Sequence, residues 1–458
     1  MQFDENHRNR IRQIFERATA LDDATTREVF VQQVFRDHYR FSSIAKLPDI
    51  CGRSDFGDQV LHIIETNADE NLLNRFYEAL KPLVMNQQDK RWIEDHLTGP
   101  APSLELCRLP CTQWDSSRLP LGALLKADMG VVEFHMRERE LKDLENWCMR
   151  DEGLLVQLYH GPGGMGKTRL AIEICRLMKD VQWRAGFLDK VRIQQDAELW
   201  HEALKLDQPL LLVLDYAQDR SDEIRWLVEQ VVAVKVARVR LLLLARKPGE
   251  WLENLKSHAP ARDIFTGPAF SKRSLSPVSV AKADRLRSWE IANRDLSKAL
   301  QLPAVNRPPE NLDADHFERV LLLQMSVLAE LDGEKVGDED GLLDYMLYRE
   351  RSFWARQLQV KNLPESLVDG LRQAMAAVTA YMGAETEADG MRILQGLPFF
   401  SGQPTATLHA LNKILADCYP GKKWIEPVQP DLLGERLFDV YTDDPVLKET
   451  IYGLFDSR

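Results

Sequence analysis

The chain has 458 residues, enough for about three domains at roughly 150 residues each. It is 44% hydrophobic and 28% charged, so it has the apolar residues to build cores and lacks the composition of a disordered chain. With 59 Lys+Arg against 71 Asp+Glu the net charge is −12, which weighs against general binding to nucleic acid or anionic membrane. No apolar run approaches the roughly 18–20 residues that span a bilayer. The opening Met1–Arg8 is polar with no signal-peptide core. Six scattered cysteines without zinc-ligand spacing predict reduced thiols. A cytoplasmic protein with no membrane contact is expected.

Residues 1–97 read as a bundle of five or six short helices. Apolar residues recur at helical spacing, as in Ile11, Ile14, Phe15 and Ala18, and further helices are predicted over 26–37, 56–66 and 71–85. Prolines and glycines then make 98–123 a linker. From 124 to 272 the pattern alternates. A helix is predicted over 138–150, a strand over 154–159, a helix over 168–179 and a strand over 183–188. Strands over 209–214 and 238–245 follow, with a helix at 222–234 between them. The last two strands are apolar on both faces, which predicts a parallel sheet covered by helices. Beyond Val278 helices return over 281–300, 316–331, 342–358, 363–382 and 405–418, and a small wing is expected near Trp424–Pro427.

The strongest local feature is Gly161-Pro162-Gly163-Gly164-Met165-Gly166-Lys167-Thr168, a G-x-x-x-x-G-K-T loop between a predicted strand and a predicted helix. Its glycines let consecutive N–H groups turn inward as an anion nest, and the helix N-terminus adds its dipole. Lys167 would neutralise the β- and γ-phosphates, and the Thr168 hydroxyl would hold Mg2+. A second Mg2+-holding acid is expected at the end of a neighbouring strand, and Leu210-Leu211-Leu212-Val213-Leu214-Asp215 supplies Asp215. The strand ending in Leu244-Ala245-Arg246 places Arg246 as a γ-phosphate sensor. Lys167, Asp215 and Arg246 are therefore the expected catalytic residues, with Thr168 and Asp215 on the metal. Tyr216 stands where a second carboxylate would polarise water, and Asp219 and Asp222 are displaced. Slow ATP hydrolysis is expected, which suits a switch better than a motor.

The ordered set Phe134–Leu141, Gly161–Thr168, Leu214-Asp215-Tyr216-Ala217 and Leu243–Arg246 resembles bacterial STAND ATPases, signal-transduction relatives of NB-ARC and NACHT proteins. Val320–Ala329 resembles their helical domain. Tyr419-Pro420-Gly421 with Glu426–Leu433 resembles their winged-helix region. The resemblance runs from about 124 to 445 and implies a P-loop NTPase domain (124–272), a helical lid (273–360), a winged-helix-like domain (361–445) and a tail (446–458). It implies that ATP or ADP is bound by Phe134, Arg137, Gly161, Gly163, Gly164, Met165, Gly166, Lys167, Thr168 and Arg169, with adenine along Val132–Arg137. Relatives usually carry Gly where Met136 stands and often an acid where Gln218 stands. Residues 1–97 resemble death-fold-like effector-associated domains, through positions including Phe30, Phe35, Phe41, Ile44, Val60, Leu61, Phe76, Tyr77 and Leu80. The expected function is a nucleotide-controlled switch that forms a homo-oligomer on activation and recruits an effector protein through residues 1–97, in antiviral defence at the family level. Relatives often continue into sensing repeats that these residues do not include. The competing reading is a DNA-associated transcription regulator, against which the acids Asp431, Glu435, Asp439, Asp443 and Asp444 weigh.

Overall fold

The computed structural model describes residues 5–35, 53–67, 70–96, 104–105, 119–188, 209–234, 238–257, 259–278, 281–421, 423–442, 448–451 and 453. The chain divides into two compact units, Met1–Ser103 with Arg192–Leu206, and Leu104–Val191 with Asp207–Arg458.

The described helices of the first unit are α1 (Glu5–Arg17), α2 (Ala24–Phe35), α3 (Arg53–Asn67), α4 (Glu70–Leu80) and α5 (Gln87–His96). Their apolar stripes converge on an aromatic centre. The Phe15 ring lies 6.0 Å from Phe30, 6.4 Å from Phe56 and 5.9 Å from Phe76. Such pairs add about 0.5–1.5 kcal/mol each beyond area burial. Asp89 is fully buried, taking Arg10 at 2.7 Å and Arg17 at 3.2 Å, so its charge is paired rather than stranded. Of the expected core positions, Phe30, Phe35, Val60, Leu61, Phe76, Tyr77 and Leu80 are buried. Phe41 and Ile44 lie outside the described residues.

The second unit is built on a six-stranded sheet. Its strands are β1 (Leu104–Glu105), β2 (Leu154–His160), β3 (Arg184–Leu188), β4 (Leu210–Leu214), β5 (Val239–Ala245) and β6 (Phe270–Ser274), in the order β1-β3-β4-β5-β2-β6. Only β1 runs antiparallel, against β3; the other five strands are parallel. Every residue of β4 and β5 is buried, Arg240 included, as strands covered on both faces require of their apolar runs. Around the sheet lie α6 (Glu138–Cys148), α7 (Lys167–Asp180), α8 (Ser221–Val234), α9 (Glu250–Ser257) and α10 (Ala261–Thr266).

The topology corrects one expectation. The strand carrying Asp215 does not neighbour the phosphate-loop strand, because β5 lies between β4 and β2. The loop and the acid meet because α7 leaves β2 and crosses over β5 and β4, contacting both, as parallel strands joined by a helical crossover require.

The remaining helices are α11 (Lys282–Leu300), α12 (Val320–Leu331), α13 (Glu339–Val360), α14 (Val368–Ala380), α15 (Glu387–Gly396), α16 (Thr405–Cys418) and α17 (Asp431–Thr442). They share one continuous apolar core. The stretch expected as a linker ends in a 3-10 turn, Leu121–Leu125, whose apolar side chains are buried in that core. In place of the expected wing, residues 424–427 contribute an isolated bridge, Ile425 to Ala384. Among the described residues no helix is long and apolar enough to cross a membrane.

Glu350 on α13 ties this half together. Its carboxylate accepts from the Tyr419 hydroxyl at 2.5 Å and the Gly122 amide at 3.3 Å, and the Trp354 indole donates to Tyr419 at 2.9 Å. Burial pushes the Glu350 pKa up to about 7. The folded chain therefore keeps a proton that the unfolded chain loses near pH 4.5. Stability should fall as pH rises from about 4.5 to 7, by on the order of 3 kcal/mol, and level off above. Denaturant unfolding at pH 5 and pH 7.5 tests this, because Glu350→Gln should flatten that fall.

Candidate functional site

The loop Gly161–Thr168 leaves the C-terminal end of β2 and enters α7. Two main-chain contacts fix its start, since the Gly161 amide donates to Ala245 at 3.2 Å and to Arg246 at 3.1 Å. Gly164 and Gly166 have φ of +78° and +86°, the left-handed region where a side chain costs roughly 1–2 kcal/mol. A Cβ at Gly164 would also stand 3.0 Å from the Leu321 side chain. The helix that follows opens with Lys167, so its first free N–H groups and its dipole face the loop.

Lys167 Nζ donates to the carbonyls of Gly161 at 2.6 Å and Pro162 at 2.8 Å, which curls it back over the loop. Burial lowers its pKa, opposed by the Asp215 carboxylate. Thr168 Oγ1 donates to Asp215 Oδ2 at 2.8 Å, so the hydroxyl and the carboxylate expected to share Mg2+ adjoin. Desolvation at the strand end raises the Asp215 pKa, while Thr168 opposes the rise. A divalent cation held by these two oxygens would favour the ionised form. The chemistry of this donor pair, one hydroxyl and one carboxylate, fits Mg2+.

Arg137 and Arg169 are each held by neighbouring protein groups. Arg137 is 3% exposed, pairs with Glu140 at 2.6 Å and donates to the Met165 carbonyl of the loop at 3.1 Å. Arg169 bridges Glu173 at 2.9 Å and the Ala127 carbonyl at 3.2 Å. Both side chains also border the cleft. Met136, where relatives usually carry Gly, has φ of +57°, so a glycine-favouring turn is here made by a side-chain-bearing residue.

The cleft has a volume of about 270 Å3. One wall is Leu124–Ala127 and Gly130–His135, which includes Phe134; the floor is the loop; Asp215, Tyr216, Gln218 and Arg246 close the sheet side. Backbone and carboxylate contacts fix the first wall, with the Glu133 amide donating to Asp295 at 2.8 Å and His135 within 3.1 Å of Ser288.

The sequence reading did not anticipate the far wall. Val320, Leu321 and Gln324 of α12, and Gln429–Leu432 at the start of α17, reach the cleft. The Leu321 amide donates to the Gly164 carbonyl at 3.2 Å, and a Cβ at Gly163 would stand 3.0 Å from Leu432 Cδ2. Asp431 accepts the Tyr216 hydroxyl and lies 3.8 Å from Arg246, which also pairs closely with Glu435. Arg246, expected to face a phosphate, is thus engaged by two carboxylates of α17. Both segments had been singled out by resemblance, as a helical lid and a winged-helix region, but no local signal marks a side chain that reaches a site about 270 residues upstream in the chain.

A β-strand, a glycine loop and a helix in a parallel sheet, with a Thr–Asp pair beside the loop lysine, make the fold of the second unit that of a P-loop NTPase. No protein-family model and no curated protein matches the chain. Among solved structures it is similar to the Orc2 protein of Aeropyrum pernix, solved in complexes with ADPNP and ADP, at 14% identity and a TM-score of 0.31, covering 75% of this chain and 98% of that one. It is also similar to Cdc6p of Pyrobaculum aerophilum, at 15% identity and a TM-score of 0.28 over 70% and 94% of the two chains. For PCH-2 of C. elegans the figures are 12% identity, a TM-score of 0.25, and 48% and 65%. Overlaps this slight carry no functional argument, so the assignment to a P-loop fold rests on the loop and the sheet themselves.

Proposed function

We propose that the chain is a nucleotide-controlled signalling switch of the STAND type, binding ATP or ADP with Mg2+ in the cleft over Gly161–Thr168. Lys167 would meet the terminal phosphates, Thr168 and Asp215 would hold the metal, and the Val132–Phe134 backbone would meet the base. Residues 124–272 would act as the NTPase domain, 273–360 as its lid and 361–445 as its winged-helix-like partner. ATP would open the arrangement, allow homo-oligomerisation and cluster residues 1–97 so that they recruit an effector protein by avidity. The STAND resemblance carries the assignment to bacterial anti-phage defence.

The observation that supports this reading best is that the phosphate loop is covered by α12 and α17, elements from the far end of the chain. A nucleotide that favours one arrangement of these elements over another can shift their equilibrium, and only by its difference in affinity for the two. The missing carboxylate at Tyr216 supports slow turnover, as a switch requires.

Light scattering on the full chain tests the proposal. Mass should stay at one chain with ADP and rise severalfold with a non-hydrolysable ATP analogue. An unchanged mass under saturating analogue sinks the oligomeric switch. Retention on DNA at physiological salt would instead favour a DNA-associated regulator.

A further inference from the structure

We propose that Glu350 is a positioning residue for the nucleotide cleft: from the apolar core, its carboxyl group joins the two walls, and closing them on a nucleotide takes up a proton. The proposal rests on reading the cleft over Gly161–Thr168 as a nucleotide site.

Glu350 is buried on α13, and its Oε1 accepts from the Gly122 amide at 3.3 Å. Gly122 belongs to the 3-10 turn Leu121–Leu125, whose last residues, Leu124 and Leu125, open the first wall of the cleft. A Cβ at Gly122 would stand 2.8 Å from Glu350 Oε1 and 3.2 Å from the Gln429 carbonyl, so a glycine is needed for the three to approach. Gln429 begins the segment Gln429–Leu432 of the far wall. Both walls therefore meet beside one carboxyl group. Its other oxygen takes the hydroxyl of Tyr419, which follows α16.

Among the described residues no cation offsets a charge at Glu350. The Tyr419 hydroxyl and the Gly122 amide favour its ionised form, but desolvation outweighs both and pushes its pKa up to about 7. Beside Tyr419, Cys418 stays a thiol, since burial and then Glu350 oppose its ionisation. The turn Leu121–Leu125 has no titratable side chain. Charged groups on the other elements packed against α13 are engaged elsewhere or exposed. Arg436 of α17 pairs with Asp340 and Asp344, Asp369 of α14 with Arg351 and Arg372, and Asp332 after α12 with Arg349. Glu330 of α12 faces Trp289, and Glu365 is exposed.

An ionised Glu350 thus favours any arrangement in which water reaches it, which requires the turn or Gln429 to draw back. Walls shut on a nucleotide hold its pKa near 7, and walls apart return it toward the ordinary 4.5. The bound chain keeps a proton that the free chain loses in this window. Affinity therefore falls as pH rises from about 4.5 to 7 and levels off above.

Titration of the full chain with fluorescent ADP and Mg2+ at pH 5.5 to 8 tests this in wild type, Glu350→Gln and Tyr419→Phe. The ratio of wild-type to Glu350→Gln affinity cancels the titration of the nucleotide and of other residues. It should fall about fivefold between pH 5.5 and 7.5 and then stay level, whereas a merely structural role leaves it constant. Tyr419→Phe removes a donor to the ionised carboxylate, so it should carry the fall to higher pH, and this profile decides the matter should Glu350→Gln fail to fold. A constant ratio, or a Tyr419→Phe profile that coincides with wild type, overturns the proposal alone. A wild-type chain that binds no nucleotide at any of these pH values overturns the reading of the site together with it.

Discussion

Lys167→Ala is expected to weaken binding of ATP and ADP by on the order of 100-fold or more while leaving the fold intact. Lys167 Nζ is held 2.6 and 2.8 Å from two carbonyls of its own loop, so it is positioned over the place where the glycine N–H groups converge. Desolvation at this position lowers its pKa but also strengthens its attraction for an anion, because fewer waters screen the charge. Among the described residues its hydrogen bonds go to loop carbonyls and its charge faces Asp215, Arg246 and Asp431, so the fold should survive its loss. Fluorescent-nucleotide titration with a parallel thermal melt separates the two effects. Affinity within threefold of wild type would remove Lys167 from the phosphate site.

Arg240→Ala is expected to cost about 3–5 kcal/mol of stability. Arg240 lies fully buried in β5, within the most apolar run of the sheet. Its guanidinium donates to the carbonyls of Trp147 (3.3 Å), Cys148 (3.1 Å), Glu152 (3.0 Å) and Gly153 (2.8 Å), and to that of Arg150. These are the residues that end α6 and lead into β2, so the side chain satisfies a turn that has little of its own regular bonding. Truncation leaves several carbonyls without a donor, at roughly 1–3 kcal/mol for each that is dry. Arg240→Lys should recover only part of the loss, because an ammonium has three donors and no planar fork. Urea unfolding reads this as a lower midpoint at unchanged slope. A loss below about 1 kcal/mol would mean that water replaces the guanidinium.

The parts of the fold that proved legible were those whose reasons are local. Gly161–Thr168 is recognisable because the tight turn, the anion nest and the helix start are all encoded within eight consecutive residues. Strands β4 and β5 were legible because the Leu and Val runs Leu210–Leu214 and Leu241–Leu244 suit a strand covered on both sides. Strand β6 was missed, because Phe270–Ser274 lies at the sheet edge, half exposed, with two basic residues and no apolar period. Helix α15 was missed although its capping box, Thr386 with Asp389, is a local signal. Helix α17 was missed because it opens straight after Pro430 in a segment read through its β-prone neighbours.

The sequence by itself determined the chemistry available to this protein: the phosphate loop, the Thr168 hydroxyl, the Asp215 carboxylate and a guanidinium at Arg246. The tertiary structure alone decided who meets whom. It inserted β5 between the loop strand and the Asp215 strand, and it brought Leu321, Asp431, Leu432 and Glu435 onto the loop and onto Arg246. The physical reason is the range of the forces involved. Turn geometry and hydrophobic period are written in neighbouring residues, whereas an ion pair between residues 246 and 435 depends on how every intervening helix packs.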